Sequence, residues 1–188
     1  MPSAISAERV TVPISSAQTA TAAFTHTYAS PPVVVCQAAF PTSPQQKPDG
    51  VFSIRVWAVT ASSFNVKIMS QGYSTETSGV AWCLVVAVGV YTEEQHGVKM
   101  EAVRHRVSSV GRRGAFSSDA LSFQQSYTSP VVVGQVLGDQ NDPTKLMEMW
   151  AMTGGDLRVG VHQGEASEVL APEDVGFIVV ETGVSTLG

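Results

Sequence analysis

The feature that most constrains the fold of this chain is an internal repeat. Residues 24–37 return as residues 123–135: each copy has a Phe, a Tyr four positions later, then Ser-Pro, a run of valines and a Gln. The segment around Trp57 likewise matches the segment around Trp150, in the same order and with nearly the same spacing. Such self-similarity indicates two copies of one structural unit. We therefore predict two units of one fold, residues 1–95 and residues 96–188.

Within each unit apolar and polar residues alternate, which is typical of β-strands. Ile54 and Val56 fall on one face of a strand and Arg55 falls on the other, because successive side chains of a strand point to opposite sides. The runs at 80–90 and 175–184 are apolar on both faces and predict central strands buried from both sides. We predict an all-β protein made of two tandem antiparallel β-sandwich units with roughly six strands each and no helical stripe.

Charge and hydropathy argue against several functions. Only 14% of the residues are charged and the net charge is −5, whereas nucleic-acid binding needs a cationic surface that neutralises phosphates. The first twenty residues lack the apolar segment of a signal peptide, and no run reaches the roughly eighteen apolar residues of a membrane span. We expect a soluble chain with no nucleic-acid partner and no membrane insertion. Its compartment stays open, with a virion, an appendage or an extracellular surface as candidates.

The chain has two cysteines, Cys36 near the end of a valine-rich strand and Cys83 in the apolar run at 80–90. Two cysteines do not make a disulfide framework. A disulfide across a sandwich is one alternative. We predict instead two buried thiols, because a thiol in an apolar segment packs as a small hydrophobe.

The motifs of the first unit resemble those of the H-type lectin domain. They are Phe24, Pro31-Pro32 followed by three valines, Arg55, Thr60-x-x-x-Phe64-x-Val66 and Trp82 near the end of the unit. The resemblance covers most of residues 20–90 and, through the repeat, a weaker copy at about 119–184. It implies a six-stranded antiparallel sandwich that commonly forms trimers and binds sugars of the N-acetylgalactosamine type.

The sugar-binding residues of that family can be compared position by position. The family's arginine falls near Val51 and near Thr144 or Lys145, and its Trp-His pair falls at Gln71-Gly72 and at Gly164-Glu165. Lys145 alone approaches the family's residue type. A rearranged site that uses Tyr73 and Gln71 is therefore the form that sugar binding would take, because a sugar needs aimed polar groups and an aromatic face.

Two tryptophans are candidates for an interface. Trp57 and Trp150 take matching positions in the repeat, on the strand face that also carries Arg55 and Glu148. A large aromatic residue beside a charge is typical of an interface anchor or of a platform for sugar stacking. The alternative is that the other unit covers this face and that Arg55 and Glu148 form an ion pair across it.

Two clusters of charged residues are candidates for binding sites. Four arginines near the start of the second unit are weak candidates for binding an anion; they are Arg104, Arg106, Arg112 and Arg113. Their alternative role is the protection of an edge strand. Asp139, Asn141 and Asp142 are weak candidates for calcium ligands, which Glu173 and Asp174 would join if the loops converge. A turn rich in Asp and Asn explains this second cluster without a metal.

No catalytic motif accompanies these candidates. The four histidines are dispersed and neither G-x-S-x-G nor H-E-x-x-H occurs, so we predict no enzyme, no catalytic residues and no cofactor. We predict a non-catalytic structural or adhesive component of a multi-subunit assembly, because low surface charge suits a protein that its neighbours cover. Its partner would be further copies of the chain, as a trimer by the resemblance, or other assembly proteins. The alternative is a lectin, with a glycan as its partner.

Overall fold

The computed structural model describes residues 4–39, 52–70, 78–108, 110–111, 119–139, 145–152, 156–163 and 171–183. Within these residues the chain forms fourteen strands and a single turn of helix. The prediction of an all-β protein with antiparallel sheets is confirmed. The residues 109, 112–118 and 140–144 lie among those that the structure does not describe.

The strands are numbered in chain order. Those of the first half are β1 (Ala7–Ser15), β2 (Ala20–Ala23), β3 (Val33–Ala39), β4 (Phe52–Trp57), β5 (Ser63–Ser70) and β6 (Ser78–Val86). Next come β7 (Gly89–Tyr91), the helical turn α1 (Glu93–His96), β8 (Met100–Val107), β9 (Val110–Gly111) and β10 (Asp119–Ser122). The remaining strands are β11 (Pro130–Val136), β12 (Lys145–Met152), β13 (Asp156–Gln163) and β14 (Glu173–Glu181).

The first half forms two three-stranded sheets. Sheet A has the order β1-β6-β3 and sheet B has the order β2-β5-β4. Their facing sides share one hydrophobic cluster, to which Val12 and Val85 of sheet A and Phe64 and Val66 of sheet B belong. The alternation predicted for the fourth strand is confirmed, because Val56 is fully buried in this cluster while Arg55 lies on the opposite face.

The second half repeats this plan with two additional short strands. Sheet C has the order β11-β14-β8-β7 and sheet D the order β10-β13-β12, with β9 paired to β13. Phe177 and Val175 of sheet C join Leu157 and Val159 of sheet D in a second core. β7 precedes the predicted boundary at residue 95 but pairs with β8 of the second half.

The pairing registers show which residues of the two halves are equivalent. Cys36 lies opposite Cys83, and Gly134 lies opposite Phe177. Because Cys36 and Gly134 are equivalent in the repeat, their partners Cys83 on β6 and Phe177 on β14 are equivalent as well. The residue before each of these is Trp82 on β6 and Gly176 on β14, so Trp82 corresponds to Gly176. A shift by one residue turns a side chain to the other face of a sheet. As a result Phe177 is buried, whereas Trp82 is 55% exposed.

Two sequence-based interpretations need correction. Cys36 and Cys83 are not free thiols: they form a disulfide between adjacent strands of sheet A, with their Cα atoms 4.0 Å apart. The register explains this, because the two cysteines are direct cross-strand partners within one sheet. β6 is central but not buried from both sides, since Trp82 and Leu84 are exposed on its outer face; β14 does have the predicted double burial.

The two halves pack through the outer faces of sheets A and C. A third hydrophobic cluster contains Val33 and Val86 of sheet A together with Ala102 and Ile178 of sheet C. Leu137, which follows β11, is 2% exposed and belongs to the core of the first half. A side chain of the second half thus completes the hydrophobic core of the first.

Candidate functional site

Four exposed apolar side chains border the contact between the halves. They are Trp82, Leu84, Val131 and Val133, with exposures of 55%, 45%, 50% and 42%. Because a lone exposed apolar residue is common on protein surfaces, only their arrangement is informative. We call these four residues the apolar margin.

The apolar margin continues the buried cluster between sheets A and C. Leu84 lies opposite Val35, which packs against that cluster. On sheet C, Val133 lies opposite Ile178, a member of the same cluster. The contact between sheets A and C therefore buries only part of each outer face. Trp82 and Leu84 on sheet A, and Val131 and Val133 on sheet C, remain exposed.

One edge strand of sheet A and one of sheet C lack protective charges. Among the described edge strands longer than four residues, β1, β4 and β12 carry charged residues, whereas β3 and β11 carry none. Charges on an edge strand normally discourage pairing with other chains. β3 and β11 are equivalent strands of the two halves, so their surroundings can be compared directly.

The edge of β3 is covered by the second half of the chain. The side-chain oxygen Oε1 of Gln135 accepts a hydrogen bond from the backbone N–H of Cys36 at 3.2 Å, and Nε2 of Gln135 donates to the carbonyl of Ile54 at 3.0 Å. One amide thus satisfies backbone groups on two edge strands, β3 and β4. On the edge of β11, the described residues provide no strand partner.

A glycine on sheet C allows the close approach of the halves. A Cβ atom at Gly176 would lie 2.7 Å from Cδ1 of Leu137 and 3.0 Å from Cγ1 of Val33. Such distances are too short for carbon atoms, so a side chain at this position would require Leu137 and Val33 to shift. The equivalent position on sheet A is Trp82, whose side chain is exposed.

The structure describes two of the four predicted interface residues with their side chains, Arg55 and Trp57. Arg55 contacts the second half of its own chain: its Nε donates to the carbonyl of Gly138 at 3.0 Å, and its Nη2 lies 3.5 Å from a carboxylate oxygen of Glu173. Trp57 is partly buried at the end of β4, opposite Asn65. Whether Arg55 and Trp57 also contact another chain stays a prediction.

The two tryptophans of the repeat do not share a register position. In β12 the pairing with β13 shifts between Met149 and Ala151, at Trp150. Trp57 pairs with Asn65, and the residue that pairs with the equivalent position, Arg158, is Ala151. The side chains of Trp150 and Glu148 lie outside the described residues. Their proposed interface role is therefore untested.

The arginine and aspartate candidates meet in a cavity of about 220 Å³ between the halves, lined in part by Arg104, Arg106, Asp139, Glu173 and Asp174. Asp174 lies 3.9 Å from Arg104 and 3.2 Å from Arg106. Burial lowers the pKa of Arg104, and Asp174 opposes this shift. The cavity is lined by charges of both signs, so an anion would have to compete with these carboxylates for the two arginines.

The remaining sequence candidates fall outside the described residues. These are Gln71 and Tyr73 for a glycan, Arg112 and Arg113 for an anion, and Asn141 and Asp142 for calcium. In the part of the chain that the structure describes, no group of three or more His, Cys, Asp or Glu side chains is placed to hold a metal ion. That same part contains no helix long and apolar enough to cross a membrane.

A pair of carboxylates, missed by the sequence interpretation, stabilises equivalent turns in the two halves. Glu8 accepts hydrogen bonds from the N–H and hydroxyl of Thr25 and from the hydroxyl of Tyr28. Burial alone would raise the pKa of Glu8, but these hydrogen bonds and nearby His26 outweigh it and lower the pKa. Burial and Glu8 together raise the pKa of Tyr28.

Glu101 occupies the same position in the second half. It is fully buried and accepts hydrogen bonds from the backbone N–H groups of Gln124 and Gln125 and from the hydroxyl of Tyr127. The signal in the sequence was a lone Glu in an otherwise alternating strand, followed by Phe-x-x-x-Tyr. These hydrogen bonds give both carboxylates a structural role, because buried charge must be compensated.

Comparison with models of known protein families, with curated proteins and with solved structures finds no match. The resemblance to the H-type lectin domain therefore stays a prediction.

Proposed function

We propose that this chain is a non-catalytic structural or adhesive component of a multi-subunit assembly, built from two H-type lectin-like sandwiches. The observation that carries the proposal is the apolar margin. Its four large side chains project from regular strands beside an already buried contact. Exposed apolar surface of this kind is typical of a protein–protein interface, and Trp is among the residues that contribute most to binding energy there.

The surroundings of the margin support this proposal. Among the described residues, the uncharged strand β11, which carries Val131 and Val133, has β14 as its only hydrogen-bonded strand neighbour. An open, uncharged edge promotes association with another chain. Together the edge of β11 and the side chains of Val131 and Val133 offer backbone hydrogen bonds and apolar contact to a partner.

The proposal is tested by the mass of the chain in solution. Sedimentation velocity over a wide range of concentrations should show self-association of the wild type, and the double variant Trp82→Ser, Leu84→Ser should remain closer to monomeric. Because both side chains are about half exposed, the variant should keep the circular dichroism spectrum and the melting behaviour of the wild type. Equal masses of the two folded proteins at all concentrations would argue against the margin as an interface.

A glycan-binding lectin is the second candidate function. One observation favours it: a cavity of about 560 Å³ opens at one end of the first half, lined by residues that include Ser15, Gln18, Thr19 and Ser78. Ser78 directly follows the segment that contains Gln71 and Tyr73. Saturable binding on a glycan array, lost in Tyr73→Ala and weakened in Gln18→Ala, would support this candidate. An array without binding to folded protein would remove it.

A further inference from the structure

The structure points to a specific partner for the apolar margin. We infer that this chain binds a second copy of itself head to tail, with the outer face of sheet A of one copy covering the edge of β11 of the next. The inference rests on the proposed function and names its partner. It starts from the contact that the chain already makes between its own halves.

Within the chain, the outer face of a sheet in one half covers the edge strand of the other half. Sheet C provides the face, through Gln135, Gly176 and Ile178. β3 provides the edge, and Val33 packs against the position of Gly176. The covered element is one of the two long uncharged edges.

The duplicated fold leaves the equivalent face and the equivalent edge without partners among the described residues. The equivalent of sheet C is sheet A, whose outer face is open at Trp82 and Leu84. The equivalent of β3 is β11, whose edge is open beside Val131 and Val133. A second copy can therefore repeat, between chains, the type of contact that the halves make within one chain.

One polar residue also has an equivalent on the open face. Gln37 on β3 corresponds to Gln135 on β11 and is exposed. The groups equivalent to the two that Gln135 bonds are the backbone N–H of Gly134 and the carbonyl of Met147, and these are the polar groups that Gln37 would face in the head-to-tail contact.

The new contact is similar to the internal one but not identical. Trp82 stands where sheet C has Gly176, so the valines of β11 pack against an indole ring instead of a glycine. An indole over two valines is an anchor typical of an interface centre. We expect Trp82→Ala to raise the dissociation constant roughly 30-fold.

A head-to-tail contact joins two different surfaces, so each copy retains one free face and one free edge. Repetition then gives a closed ring, if the rotation closes, or an open filament. A two-fold contact between two β11 strands would instead use one surface twice and stop at a dimer. This difference allows a complementation experiment.

The experiment uses one variant on each surface and a matched control. Leu84→Lys places a charge on the face and Val133→Lys places one on the edge. The control Val88→Lys changes a valine with 44% exposure in the connection between β6 and β7. Circular dichroism verifies that all three fold. Sedimentation velocity should show self-association for the wild type and Val88→Lys, and a monomer for each of the other two variants at the same concentrations.

Mixing the two monomeric variants then tests the geometry. An equimolar mixture of Leu84→Lys and Val133→Lys should form a dimer and nothing larger, because the intact face of one variant binds the intact edge of the other. If the wild type associates and Leu84→Lys lowers its mass, but the mixture gives no dimer, the head-to-tail contact is wrong and the proposed function remains. A wild type that is monomeric at every concentration contradicts both proposals.

Discussion

Leu137 provides a sharp prediction about how the halves depend on each other. It comes from the second half but is 2% exposed in the core of the first. Leu137→Ala removes three carbon groups, which costs about 2.4 kcal/mol of transfer free energy. The residual cavity adds roughly 1 kcal/mol, for a total loss of about 3 kcal/mol in the free energy of unfolding.

Differential scanning calorimetry measures this effect. For a chain of this size, a loss of about 3 kcal/mol lowers the melting temperature by roughly 6–12 °C. The matched control is Leu84→Ala, which changes the same residue type at 45% exposure and should cost less than about 1 kcal/mol at a dilution where the chain is monomeric. Equal losses for the two variants would refute the argument that Leu137 completes the core of the first half.

Three further predictions concern stability. Backbone hydrogen bonds from Thr128 and Ser129 lower the pKa of Glu181; its stabilising contribution is therefore complete above its unfolded pKa and is lost as the pH falls through the folded one. Urea midpoints between pH 6 and pH 3 should fall less steeply in Glu181→Gln than in the wild type. Ala58 has a φ of 49°, so Ala58→Gly should keep or raise the free energy of unfolding, by up to about 1 kcal/mol, in urea titrations; a clear loss would contradict this. The Cys36–Cys83 disulfide spans 47 residues and should contribute about 2–4 kcal/mol; a reductant should lower the urea midpoint, and an unchanged midpoint would count against the pairing.

Much of the fold follows from local sequence patterns. Alternation identified the strands around Val56 and Val159, because a half-buried strand requires it whatever its neighbours are. The polar stretch at 92–97, which includes the predicted boundary at residue 95, forms the helical turn α1 capped by Thr92 and Gly97. Features that depend on one segment of chain are accessible from the sequence in this way.

Features that depend on pairing between distant strands were missed. The disulfide required that Cys36 and Cys83 face each other across one sheet, and only the register between β3 and β6 determines that. The apolar runs around Trp82 and Phe177 are alike in sequence, but the strand register offsets the two aromatic residues by one position, which places them on opposite faces. Sequence similarity alone does not detect such a shift, because both strands are apolar throughout.

The candidate site shows the same limit. The sequence singled out Trp57 and Arg55, whereas the most exposed tryptophan of the described residues is Trp82. Arg55 serves the contact with Glu173 inside the chain. Which apolar face stays open depends on how the two halves pack, and that packing rests on Gly176 and Leu137 rather than on any local motif.

The most direct test of the central claim is the sedimentation behaviour of an equimolar mixture of Leu84→Lys and Val133→Lys. The account predicts that each variant alone is a monomer and that the mixture contains a dimer. Two folded variants that remain monomeric when mixed, beside a wild type that associates, would contradict the head-to-tail contact.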